Sequence, residues 1–323
     1  MASNSKEMIR RTHTTKGFRG TVSRTLAIVF GLFFLLTSYN GCEKELPFDP
    51  EFDQSKLVVN ALFRTDSSWR VHISRSLSVL DTSQLVAVED ATVRISDGNG
   101  NTVANLDWLG DGEYGADSLF PMADQNYRID ISAPGYEPIS ASDYIPGTVQ
   151  IISLDTFPVW GPDSTKGYEF ELTFTDPAGA DNYYEIQLLQ RFTWIFGNDT
   201  LSEFYPVYII CEDPNIETDN GFEGSGFENY YDAILLKDDQ IEGQTYTLRF
   251  SIEDVWIEPL YENAFALNMY STSESFFNYR RSLAAYNNVL DNPFAQPVQV
   301  FSNVTGGYGI FAGGALEQWI IDL

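Results

Sequence analysis

The chain has 323 residues, with 46 Asp and Glu against 19 Lys and Arg, two His, and a formal net charge of −27. That excess of acid repels phosphate, which excludes nucleic acid and disfavours anionic membrane faces as partners, and favours cations or basic surfaces. Hydrophobic residues make up 43% and aromatics 15%, enough to bury a core and to exclude a disordered acidic tail.

A basic segment holding Arg10, Arg11, Lys16, Arg19 and Arg24 leads into an apolar run from Leu26 to Leu36. The run is too short for a bilayer span, which needs ~20 apolar residues, and it has the length of a signal-peptide hydrophobic region. Gly41-Cys42 follows where such a region ends. A small residue before a cysteine at that point resembles a bacterial lipobox. Residues 1–41 are therefore expected to be a cleaved leader, with Cys42 carrying lipid and 42–55 forming a tether kept extended by Pro47 and Pro50. Tyr39 and Asn40 depart from the usual lipobox residues, and the competing reading is an ordinary secretory signal with an incidental cysteine. Glu43 and Glu45, just after Cys42, resemble a surface-export signal. With the leader go His13, six of the 19 basic residues and one of the 46 acids. Lipid on Cys42 leaves Cys211 without an intrachain partner, so the fold must stand on its core.

From Lys56 the pattern turns to short strands. Residues 56–64 read as an apolar strand, and 69–76 alternate Trp69, Val71 and Ile73 against Arg70, His72 and Ser74, which places His72 toward solvent. Residues 91–96 and 102–108 flank Asp97-Gly98-Asn99-Gly100-Asn101, a hairpin signal. Further strands fall at 113–117, 126–133 and 139–144. Seven or so short strands separated by turns predict an immunoglobulin-like β-sandwich of ~100 residues over 56–147.

A second β-rich domain is expected over 148–323. Residues 168–175 alternate Phe170, Leu172 and Phe174 against Glu169, Glu171 and Thr173, and 183–194 form a long strand after the turn Asp176-Pro177-Ala178-Gly179. Residues 212–232 make the longest loop, rich in Gly, Asn and acids, and loops of this length are often functional. Strands resume at 233–237, 245–252 and 264–270. Ser271-Thr272-Ser273-Glu274 fits a capping box with Ser271 as N-cap. It predicts an amphipathic helix near 272–291, with Phe276, Tyr279, Leu283, Tyr286 and Leu290 on one face. Terminal strands follow at 298–301, 308–312 and 316–322.

Several of these segments stand together as a pattern. They are Lys56-Leu57-Val58-Val59-Asn60-Ala61-Leu62, Trp69-Arg70-Val71, Asp90-Ala91-Thr92-Val93, Asp176-Pro177-Ala178-Gly179 before Tyr183-Tyr184, Pro297-Val298, Ser302-Asn303 and Gly306-Gly307-Tyr308-Gly309-Ile310-Phe311. In this order the chain resembles a family of Bacteroidota lipoproteins, domain-of-unknown-function family 4249. The resemblance implies a cell-envelope protein associated with TonB-dependent outer-membrane transporters, and it brings no catalytic residues.

The chemistry the residues offer is sparse. Cys211 and His72 are the one Cys–His pair of the mature chain, and they fall in separate predicted domains. The acidic loop reads first as solvated, since it lacks EF-hand spacing; calcium through Asp213, Glu217, Asp219 and Glu223 is the competing reading, because hard cations take carboxylate oxygens. Tyr205, Tyr208, Tyr230 and Tyr231 flank that loop and could stack on a sugar or a peptide, with strand-face packing as the alternative. Gly306-Gly307-Tyr308-Gly309 is not a phosphate loop, because no helix follows it. The protein is thus expected to be a non-enzymatic, lipid-anchored outer-membrane protein facing the cell surface. It would be an accessory or ligand-binding partner of a TonB-dependent β-barrel, taking a small molecule or peptide and no cofactor unless Ca²⁺. An envelope adhesin or assembly factor, and then a carboxylate-dependent hydrolase, are the competing readings.

Overall fold

Leu57, Val59, Ala61 and Phe63 turn inward along β1 (Leu57–Arg64), and Trp69, Val71 and Ile73 along β2 (Trp69–Arg75), because alternate side chains of a strand share a face. His72 lies on the outer face and is exposed, as the alternation requires. The structure, a computed structural model, describes residues 55–78, 85–160, 166–196, 199–217, 230–253, 264–289, 294 and 296–322. The expected leader, Cys42 and the tether up to residue 54 lie outside the described residues.

After the short β3 (Val86–Ala87), β4 (Thr92–Asp97) and β5 (Thr102–Gly110) form the expected hairpin. Its turn is held by the Asp97 carboxylate, which accepts hydrogen bonds from the Asn99 and Asn101 amides at 2.9 and 2.8 Å. β5 then serves two layers. Its first half pairs with β4 and its second half with β6 (Glu113–Ala116). The layer of β1, β2 and β6 therefore folds over β4, β7 (Gln125–Ser132) and β8 (Ile139–Ile145). Trp69 meets Tyr127 edge-on at 5.0 Å across the layers, with Phe63 5.9 Å from the same tyrosine. This is the β-sandwich that the short alternating strands imply.

The chain continues through β9 (Gln150–Trp160), β10 (Lys166–Thr175), β11 (Tyr183–Phe196), β12 (Asp199–Pro206), β13 (Ile209–Ile210), β14 (Tyr230–Tyr231), β15 (Ile234–Lys237), β16 (Thr245–Ile252) and β17 (Ala264–Thr272). β9, β10, β13, β14 and β16 form a smaller sheet. It faces β11, β15 and β17 across a second buried cluster, where Phe170 stands 5.9 Å from Phe265 at near right angles.

The helix, α1 (Glu274–Val289), begins later than its capping box suggests. Ser271 and Thr272 still belong to β17, where Ser271 pairs with Tyr184 on one side and Ala315 on the other. The N-cap is Ser273, whose hydroxyl accepts the Phe276 amide at 3.1 Å. Two serines two residues apart compete for the cap, and sheet pairing claims the first. Arg280 on the helix reaches Glu185 of β11 at 2.5 Å, and Glu185 is 3% exposed. Losing Arg280 would leave the buried Glu185 carboxylate with the neutral Gln187 amide as its side-chain partner among the described residues, a costly arrangement for a buried charge.

The last strand, β18 (Tyr308–Asp322), is one element rather than two. Its first half runs parallel to β1, from the Val58–Tyr308 pair to Arg64–Gly314. Its second half runs antiparallel to β17, from Thr272–Gly314 to Ala264–Asp322. Residues 298–301, expected as a strand, are not in one; the Phe301 amide instead donates to the Ser282 hydroxyl of α1 at 2.8 Å. Phe311 and Ala315 of β18 lie in the sandwich core, so the two buried clusters share a sheet within residues 54–323. Gly309 makes the parallel pairing possible. It sits at φ +109°, and a Cβ there would lie 1.8 Å from the Val59 carbonyl oxygen. Gly309→Ala is predicted to lower stability by about 3 kcal/mol or more, through backbone strain plus overpacking. Gly100→Ala, at φ +83° with open space around it, should cost about 1 kcal/mol. Urea unfolding of both variants checks the contrast; equal losses would contradict it.

Candidate functional site

The residues 190–196, Gln-Arg-Phe-Thr-Trp-Ile-Phe, alternate along β11 after its core segment ends. From Tyr183 to Gln190, β11 pairs with β17, and from Leu189 to Phe196 it pairs with β12. Among the described residues, 191–196 have β12 as their sheet neighbour. Residues directly opposite in an antiparallel pair share a face. Phe192 and Trp194 on β11 therefore stand beside Leu201, Glu203 and Tyr205 on β12.

The rings form a triangle. Phe192 and Trp194 are nearly parallel with centroids 6.3 Å apart, and Tyr205 meets them edge-on at 5.7 and 5.8 Å. Tyr205 donates its hydroxyl hydrogen to Glu203 at 2.6 Å. That bond pushes the Tyr205 phenol up and fixes the carboxylate beside the rings. Trp194 is 37% and Tyr205 43% exposed, with Leu201 also exposed. A rigid aromatic group of this kind offers a large contact area at little cost in side-chain entropy. Neighbouring exposed apolar side chains of this size mark interaction surfaces.

Of the expected tyrosines whose side chains are described, Tyr205, Tyr208 and Tyr231, Tyr205 alone joins this group. Tyr208 is exposed on the segment that follows, without a place in the ring triangle, while Tyr231 is 1% exposed within the second core. Tyr231 is thus a packing residue, its side chain claimed by the strand face. Tyr230 is placed in β14 next to it. Phe192 and Trp194 were missed by sequence reasoning. Their signal was the alternation across 190–196, which reads equally as a buried strand until the neighbour on the far side is known.

Of the expected calcium residues, Asp213 and Glu217 are described, and each holds a partner within the protein. Asp213 accepts the Asn215 amide at 2.9 Å and the Tyr246 hydroxyl at 2.5 Å. Burial, and then this carboxylate, push the Tyr246 phenol up to about 12. Glu217 lies 3.8 Å from Arg281 of α1. Asp219 and Glu223 lie outside the described residues. Among the described residues a different trio converges: Asp176, Asp238 and Glu242, with ligand atoms within 4.8 Å of one another. Each already holds a local partner. Asp176 accepts from Tyr184 Oη at 2.5 Å and from the Gly243 amide at 2.7 Å, Asp238 from the Asn182 amide at 2.8 Å, and Glu242 from the Gly179 amide at 2.5 Å. The trio thereby ties the turn before β11 to the turn before β16. It joins residues more than 50 positions apart, which no local spacing could reveal.

Cys211 is buried and donates its thiol hydrogen to the Arg249 carbonyl at 3.4 Å; burial pushes the thiol up to about 11. It belongs to the second core, whereas His72 lies on the outer face of the sandwich, so the two form no dyad.

Burial, then the Glu242 and Asp176 carboxylates, push the Asp238 carboxyl up from its ordinary 3.8, against the Asn182 amide. A raised folded-state value means that the proton is held more tightly in the folded chain. The resulting stability is complete below the unfolded value and fades as pH rises through the folded one. Asp238→Asn removes the charge and keeps an acceptor for Asn182. Its stability relative to wild type should therefore rise as pH increases above about 4. Urea unfolding from acid to neutral pH checks this, and a flat difference would contradict it.

The family described as "Domain of unknown function (DUF4249)" matches residues 43–318. No curated protein matches the chain. Among solved structures it is similar to the major pilin subunit BcpA of Bacillus cereus, at 9% identity over 68% of this chain and 65% of that one, with a TM-score of 0.20. The major pilin SpaD of Corynebacterium diphtheriae matches at 11% identity over 68% and 62%, also with a TM-score of 0.20. A membrane-anchored protein of Corynebacterium diphtheriae matches at 9% identity over 69% and 55%, with a TM-score of 0.18. The chain spans less than two thirds of the length of each of these three.

Proposed function

From the premise that the chain belongs to the DUF4249 family, we propose that it is a non-enzymatic ligand-binding protein of the cell envelope. The observation that carries this reading is the ring triangle of Phe192, Trp194 and Tyr205, with the Glu203 carboxylate fixed beside it. Such a surface takes a flat apolar face, of a sugar or a peptide, and supplies one acceptor at its edge. Nothing in that chemistry calls for a cofactor. The raised Cys211 thiol and its distance in the fold from His72 also favour binding over nucleophilic catalysis.

The place of action follows from the leader. In this reading lipid on Cys42 anchors the protein in a Bacteroidota outer membrane, and the acids after Cys42 direct it to the cell surface. The partner is a TonB-dependent β-barrel, against which the aromatic hairpin docks with its cargo.

Two experiments test the reading. Trp194→Ala combined with Tyr205→Ala should leave thermal unfolding nearly unchanged, since both rings are exposed, and should abolish recovery of a β-barrel partner from detergent-solubilised membranes. Recovery of no barrel by wild type under several mild detergents would contradict the partnership. Undiminished recovery by the double variant would contradict the role of the hairpin. Cys42→Ala should leave the protein soluble or unprocessed; a processed form that still fractionates with the outer membrane would contradict the anchor.

A further inference from the structure

On the outer face of the sandwich a row of polar side chains crosses four strands. The cross-strand register places Asn105 of β5 opposite Arg94 of β4, Arg94 opposite Asp130 of β7, and Asp130 opposite Ser140 of β8. Arg128 lies two residues before Asp130 and therefore on the same face. These side chains line a depression of about 390 Å³. That volume falls in the range of small-molecule sites.

The charges within it are arranged unusually for so acidic a chain. The Asp130 carboxylate accepts from Arg128 Nε at 3.0 Å on one oxygen and from Arg94 Nη2 at 3.0 Å on the other. Partial burial pushes this carboxyl up, and the two guanidiniums more than offset that and hold it below its ordinary value. One carboxylate thus holds two guanidiniums side by side, leaving one net positive charge. Both arginines remain about half exposed, at 51% and 50%. Each guanidinium has five N–H donors, so the Asp130 bonds leave several for a ligand. The Debye length is ~8 Å at physiological salt, so the −27 of the whole chain acts weakly here against the local pair.

We infer that this depression binds the carboxylate of a small monoanionic ligand, seated between Arg94 and Arg128. A guanidinium fork matches the planar carboxylate in geometry. A single negative charge neutralises the site, whereas a doubly charged phosphate would overshoot it within an acidic surface. Asn105 and Ser140 supply neutral hydrogen-bonding groups. A sugar acid and the C-terminal carboxylate of a short peptide present the same chemistry. The site lies on the first sandwich and stands independently of the aromatic hairpin.

Calorimetric titration of the purified chain tests it with four probes: glucuronate, glucose, N-acetyl-dialanine and its C-terminal amide. At least one carboxylate should bind saturably at physiological salt, about tenfold or more tighter than its neutral counterpart, and weaken as salt rises further. The tighter of the two carboxylates identifies the source. Arg94→Gln and Arg128→Gln should each weaken binding about tenfold. Asp130→Asn, which raises the local charge, should tighten it. Circular dichroism controls for folding, and the comparison of charged with neutral probes on wild type stands even if a variant misfolds. Absence of saturable binding by both carboxylates would overturn the inference. So would equal binding of charged and neutral probes, or arginine variants that fold and bind like wild type.

Discussion

Where the end of the chain comes alongside β1, two glycine positions leave no room for a side chain. A Cβ at Gly307 would lie 2.4 Å from the Leu57 carbonyl oxygen, and one at Gly309 only 1.8 Å from that of Val59. The first strand of the sandwich and the last strand of the chain can pair in parallel because these positions carry none. Everything downstream of that pairing depends on it. Once β18 is fixed against β1, its second half presents an edge to β17, β17 presents one to β11, and β11 carries the aromatic hairpin. Asp143 of β8 reinforces the junction by accepting the Gly313 amide at 2.9 Å and the hydroxyl of Ser273, the cap of α1. Burial pushes the Asp143 carboxyl up, and its hydrogen bonds to the Ser273 hydroxyl and the Gly313 amide pull the other way.

Local periodicity carried most of the strand assignments. β1, β2, β4, β7 and β10 each alternate buried with more accessible residues over most of their length, and burial on one face is what writes that pattern into sequence. What it could not show is partnership at a distance. β18 reads as two short strands because Gly313 and Gly314 interrupt its apolar alternation; a Cβ at Gly313 would lie 2.6 Å from Ile145 of β8 and 2.8 Å from the Phe63 ring, so the gap is set by packing across the layers. The helix start was misplaced by two residues because Ser271 and Ser273 are equally good caps by composition. Pairing of Ser271 across two strands decides between them.

The sites follow the same division. Tyr205 was legible as an aromatic near a long loop, but its partners Phe192 and Trp194 become visible only through the β11–β12 register. Tyr231, similar by composition, is buried. The Asp176–Asp238–Glu242 trio and the Arg94–Asp130–Arg128 trio both draw on residues more than 30 positions apart. Net charge averages over such features. A chain at −27 still builds one spot where two guanidiniums outnumber their carboxylate, and a total is silent about that.

If β18 holds both cores in one cooperative structure, its amides should reveal it. Native-state hydrogen exchange, read residue by residue under increasing denaturant, is the most direct measurement. Amides of 308–314, paired with β1, and of 315–321, paired with β17, should open together at the free energy of global unfolding. Exchange of 308–314 through a separate, lower-energy opening, with the β17 pairing still protected, would show that the two cores fold independently and would contradict the account.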